Sequence, residues 1–138
     1  MARKFITYFD KQGENYTDEL ISAVKDKLDV AENIKYVLIA SASGESALKL
    51  EEAIDNEVTI INVSHNVGFS GDNASDISEE MIKKLEKVGI KTFQGIHAFS
   101  GAARGVTNKY GGYSPLDVVA DTLRMFSHGV KVAAEIYD

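Results

Sequence analysis

Three short apolar runs, "YVLIA" at residues 36–40, "VTIINV" at 58–63 and "IKTFQ" at 90–94, alternate with segments whose apolar residues recur at helical spacing. That alternation constrains the fold more than any other feature of the chain. Parallel strands cannot be joined by a tight hairpin and need a crossover of a dozen or more residues, usually a helix. Continuous apolar runs also suit strands covered on both faces. The pattern predicts an α/β layer with a parallel sheet and right-handed crossovers.

The helical segments carry start and stop signals. Ile21, Val24 and Leu28 follow Thr17-Asp18-Glu19, which supplies an N-cap and two acids for the first turn, with Tyr16 and Ile21 placed as a hydrophobic staple. Ala47, Leu50, Ala53 and Ile54 form a second face. Ser78 caps a third helix bearing Met81, Ile82, Leu85 and Val88, with Ile77 and Ile82 as its staple and Gly89 as its stop. Beyond Gly95, residues 102–110 suit a helix capped by Ser100 and broken by Gly111-Gly112. Ser114-Pro115 then opens another with the stripe Leu116, Val119, Ala120, Leu123 and Phe126. His128, before Gly129, suits a C-terminal cap, and residues 130–136 fit strand or helix equally well.

Composition narrows the function. The 138 residues predict one domain, able to bury about 68–70% of its unfolded surface without staples. A net charge of −6 with scattered basic residues argues against nucleic-acid binding. No cysteine is present, so thiolate zinc sites, disulfides and cysteine nucleophiles are excluded. No signal-like or membrane-length apolar stretch occurs, and a soluble cytoplasmic protein is expected.

In open α/β sheets ligands bind beyond the carboxyl ends of the strands. Three loops are expected there, and they hold most of the usable chemistry. The first, Ser41-Ala42-Ser43-Gly44-Glu45-Ser46, sets three hydroxyls and a glycine at a helix N-terminus, which suits either a phosphate or a plain serine-capped turn. It is neither a Walker loop nor a dinucleotide fingerprint. The second loop offers His65 and Asn66; the third offers His97, then Ser100 and Gly101, with Arg104 as the nearest cation for a phosphate. Two histidines without a carboxylate at ligand spacing make a poor metal site, and no nucleophile elbow is present.

The segments "YFDKQGENYTDE", "VLIASASGESALKL", "NVSHNVGF" and "IHAFSGAARGVTNKYGGYSPLDVVADTLRMFSHGVKVAAEI" occur in the same order in a stand-alone family similar to the C-terminal α/β domain of pyruvate kinase. The resemblance spans nearly the whole chain. It implies a three-layer α/β sandwich and, since members are associated with flavin mononucleotide (FMN), a bound flavin. The Ser41–Ala47 stretch is also similar to the loop with which some pyruvate kinases hold a phosphate of their allosteric sugar bisphosphate.

The chain departs from the family at Gln12, where proline is usual, and at its end, where members continue with a further strand region and a glycine-arginine turn. The resemblance therefore implies a missing part of the pocket and an open sheet edge that favours a homo-oligomer. The expected function is binding of a phosphorylated small molecule, FMN above all. An enzyme using His65 or His97 as acid-base group is the alternative. Pyruvate kinase chemistry itself is not expected, because it belongs to a barrel of about 250 residues.

Overall fold

The computed structural model describes residues 7–9, 11, 15–31, 33–55 and 57–137. Gln12, noted above as a departure from the resemblance, lies outside these. The elements follow as α1 (Thr17–Val30), β1 (Tyr36–Ala40), α2 (Glu45–Ala53), β2 (Thr59–His65), α3 (Glu79–Lys87) and β3 (Lys91–Gly95). A π-helical turn (Ala98–Ala102) then runs into α4 (Ala103–Tyr110), followed by α5 (Pro115–Arg124) and α6 (His128–Tyr137). The fold is α/β with a small open sheet of three parallel strands in the order β1-β2-β3. Among the described residues no helix is long and apolar enough to cross a membrane.

The sequential strand order decides where the helices go. With one handedness for both crossovers, α2 and α3 must lie on the same face of the sheet. There Ile21 of α1, Ala47 and Leu50 of α2, and Ile77 and Leu85 around α3 bury themselves over Ile60, with Val37 and Ile39 packed against them. Strand order does not reverse among these strands, so no switch point arises within the sheet. The register pairs His65 with Gly95, so β2 and β3 end level, while Ala40 pairs with Val63 and β1 ends two residues earlier.

Several local signals act as expected. Ser78 accepts the Met81 amide at 3.1 Å. Gly89, at φ +85°, ends α3 with its amide on the Glu86 carbonyl and the Ile90 amide on that of Leu85. This is the two-bond Schellman stop, with buried Leu85 and Ile90 as its apolar pair. Ser114 and Asp117 close a full capping box ahead of Pro115.

Others differ. Thr17 is the first helical residue and not the cap; Tyr16 holds the cap position without a side-chain capping bond, its hydroxyl donating to the Lys11 carbonyl at 3.0 Å, and the Asn15 side chain accepts the Thr17 amide at 3.1 Å. Tyr16 stacks on Phe9, with ring centroids 3.9 Å apart, and as the cap residue itself it does not occupy the staple position that precedes a cap. Ser100 caps nothing: helical winding begins at Ala98 with His97 as its cap residue, and the Ala102 amide reaches the His97 carbonyl across five residues. His128 opens α6 where a C-terminal cap was expected, because Ser127 accepts the Val130 amide at 3.0 Å and starts a new helix. The open choice at residues 130–136 is thereby settled as helix.

Candidate functional site

The β1–α2 turn is held by its own serines. Ser41 Oγ accepts the Ser46 amide at 3.2 Å, and Ser43 Oγ accepts the Glu45 amide at 3.4 Å. Each hydroxyl keeps its proton for another partner. Gly44 sits at φ +86°, and a Cβ there would meet Met81 Cγ at 2.8 Å and Leu85 Cδ1 at 3.0 Å. The glycine is thus explained by backbone conformation and by the approach of α3.

Across the strand ends, β2 extends through Ser64 and His65, two residues further than its apolar run suggests. Ser64 Oγ donates to the Ala42 carbonyl at 2.8 Å and ties the first loop to β2. His97 Nε2 lies 3.1 Å from the Ser64 carbonyl. A carbonyl only accepts, so Nε2 carries the proton and the neutral ring leaves Nδ1 as an acceptor.

His65 Nδ1 is 2.6 Å from Asp76 Oδ2, while Ser70 donates to the other Asp76 oxygen. This pairing orients the imidazole and leaves Nε2 as a base in the neutral ring. His65 stacks on Phe69 with centroids 3.8 Å apart, and the Arg104 guanidinium lies 5.0 Å over the same phenyl ring. Arg104 therefore contacts the ring that stacks on His65. Gln94 braces the same corner, donating to the His65 carbonyl at 3.3 Å and to Ser75 at 3.0 Å.

These elements enclose a cavity of about 200 Å³ bounded by Ser41, Ser64, His65, His97 and, from α6, Glu135, with Ala40, Ala42, Val63, Val132 and Ile136 as its apolar wall. Of the residues expected to form a site, Ser41, His65 and His97 meet here. Ser43, Gly44, Glu45 and Ser46 belong to the turn beside the cavity without lining it. Asn66, Ser100, Gly101 and Arg104 also lie outside its wall. Asn66 donates to the Val67 carbonyl at 2.9 Å, and a Cβ on Gly101 would lie 3.7 Å from its Oδ1, so the second loop and the π turn pack together.

Glu135 went unnoticed in the sequence, as did its partner Lys131. Lys131 is 3% exposed and Glu135 8%, and they pair one helical turn apart through Lys131 Nζ and Glu135 Oε2. The available signal was a Lys-x-x-x-Glu spacing inside an otherwise apolar helix.

The electrostatics carry a pH prediction. Hydrogen bonds from Ser70 and then from His65 hold the Asp76 carboxyl below the usual carboxylate range. A depressed folded-state pKa contributes stability that is present above the unfolded value, about 3.9, and is lost as pH falls through the folded one. Urea midpoints of the wild type and Asp76→Asn should therefore differ at neutral pH and converge as the pH drops below about 4. A gap that stays constant down to pH 2 would refute this assignment. The chain matches no protein-family model.

Proposed function

We propose that the chain binds a phosphorylated small molecule at the carboxyl ends of β1, β2 and β3, with FMN as the leading candidate. The reading is supported by one observation above others: Ser41 joins the start of α2 to the cavity. Its hydroxyl accepts the Ser46 amide and its side chain forms part of the cavity wall. A ligand in the cavity thus has a helix N-terminus at its edge, where backbone amides and the helix dipole favour an anion. Ser43, exposed on the same turn, has a hydroxyl proton to donate, and Arg104, over the Phe69 ring that stacks on His65, is the candidate cation. At about 200 Å³ the cavity is smaller than the 300–1,000 Å³ usual for a whole drug-sized ligand. It takes one part of the molecule, and the remainder lies over the open strand ends.

Titration of FMN and of inorganic phosphate against wild type and Ser43→Ala tests this. A hydrogen bond to a charged group is worth about 1.5–3 kcal/mol, so the variant should bind FMN roughly tenfold to a hundredfold more weakly. If Ser43 serves only the turn, the variant loses about 1 kcal/mol of stability and binds as the wild type does. Absence of FMN and phosphate binding to the wild type would end the proposal.

A further inference from the structure

A parallel sheet is ordinarily covered on both faces, because its strands turn apolar side chains to either side. Here one face is closed by α1, α2 and α3, which pack over Val37, Ile39 and Ile60. Side chains alternate along a strand, so Tyr36, Leu38, Ile61 and Phe93 share the opposite face, where the register sets Leu38 beside Ile61 and Phe93 beside Val63. α6 packs on β1 and covers the carboxyl end of this face, with Val132 and Ile136 near Ala40 and Val63 around the cavity. The remainder is bare. Tyr36 is 61% exposed and Phe93 56%, Leu38 is exposed too, and Ile61 is only half-buried.

The helix α5 has the opposite surplus. It carries an apolar stripe, Leu116, Val119, Ala120, Leu123 and Phe126, and joins the α6 side of the molecule by packing on α4, α6 and the π turn. Of that stripe Ala120 is buried, whereas Val119 is exposed and Phe126 is 78% exposed. Among the described residues none from α4, α5 or α6 belongs to the core cluster. One chain therefore holds both an uncovered sheet face and a helix stripe with nothing to cover.

Surface area gives the scale of what is missing. The chain exposes 10123 Å², whereas a folded monomer of 15.1 kDa exposes about 7,100 Å². Even at roughly 160 Å² of extended chain for each residue outside those described, the excess stays at about 1,400 Å². An obligate dimer buries about 2,000–5,000 Å² in total, hence at least about 1,000 Å² per chain, and its interface resembles a domain core cut in half.

We infer that a second copy of this chain covers the bare face, in a two-fold dimer where the α5 stripe of each protomer lies on the open sheet face of the other. A helix layer on a sheet is the usual closure of an α/β fold, and under two-fold symmetry each helix-on-sheet contact brings its reciprocal. Stacking the two sheets on each other would leave both α5 stripes bare. Pairing the sheets edge to edge would leave the stripes and the faces bare. Tyr36, Phe93 and Phe126 are the aromatic anchors such an interface needs.

Sedimentation of the whole chain should give roughly twice 15.1 kDa through the micromolar range. Phe93→Glu and Val119→Glu each change an exposed side chain, and each should weaken the dimer at least about tenfold while the circular dichroism stays that of wild type. The chain has no cysteine, so introduced thiols report without background. Leu38→Cys and Val119→Cys proteins, mixed and mildly oxidised, should cross-link to each other faster than either does to itself. Both positions are exposed, so this measurement stands if a glutamate variant fails to fold. A monomeric wild type overturns the inference. A dimer that withstands both glutamate variants, as edge pairing would, also overturns it, and so does Leu38→Cys linking to itself faster than to Val119→Cys, as stacked sheets would.

Discussion

Replacing Glu135 alone by leucine is expected to destabilise the protein by about 3–5 kcal/mol, because it leaves a buried ammonium without its partner. Lys131 is 3% exposed on α6, and that helix lies against β1. Adding Lys131→Met to the same chain should return most of the loss, since buried ion pairs replaced by apolar residues of similar volume are often neutral or stabilising. Urea unfolding of the wild type, the single variant and the double variant measures both effects. Equal midpoints for wild type and the single variant would mean that Lys131 reaches solvent and that the pair is not buried as described.

Gly44→Val should cost about 2–5 kcal/mol. A non-glycine residue held near left-handed helical geometry costs roughly 1–2 kcal/mol, and overpacking a filled site adds roughly 1–3 kcal/mol. Both apply, since φ is +86° and a Cβ would stand 2.8 Å from Met81 Cγ and 3.1 Å from Ile77 Cδ1. The contact with Met81 is to a flexible side chain, but Leu85 and Ile77 belong to the buried cluster and have little room to yield. Thermal and urea melts check the value, and Gly44→Ala should keep most of the effect because the first added carbon makes these contacts. Reduced ligand binding in Gly44→Val would therefore report a damaged fold. Ser43→Ala, on an exposed position of the same turn, isolates the anion contact.

The three strands and the three helices between residues 17 and 87 were legible because their signals are local. Gly89 needs only its own φ and two neighbouring carbonyls to stop α3, and Ser114 needs only Asp117 three residues away to start α5. Errors arose where two local solutions compete. Thr17 could have capped α1, yet Asn15 two residues earlier binds both its amide and its hydroxyl, at 3.1 and 2.6 Å, and moves the start by one residue. The π turn at Ala98–Ala102 carries no composition signal; the Ala102 amide simply finds the His97 carbonyl.

Sequence by itself therefore determined the element order from α1 to β3, the parallel α/β architecture and the placing of Ser41, His65 and His97 at strand ends, because alternating periodicity and crossover length leave few other arrangements. Tertiary structure alone decided that Asp76 orients His65, that Arg104 lies over the Phe69 ring stacked on His65, and that Glu135 of α6 borders the cavity. The segments concerned are far apart in the chain or silent in their periodicity. A lysine and a glutamate four residues apart look like a solvated pair until packing brings them inside. Whether a charge is buried depends on what covers its helix, and that is a property of the assembled fold rather than of any window of sequence.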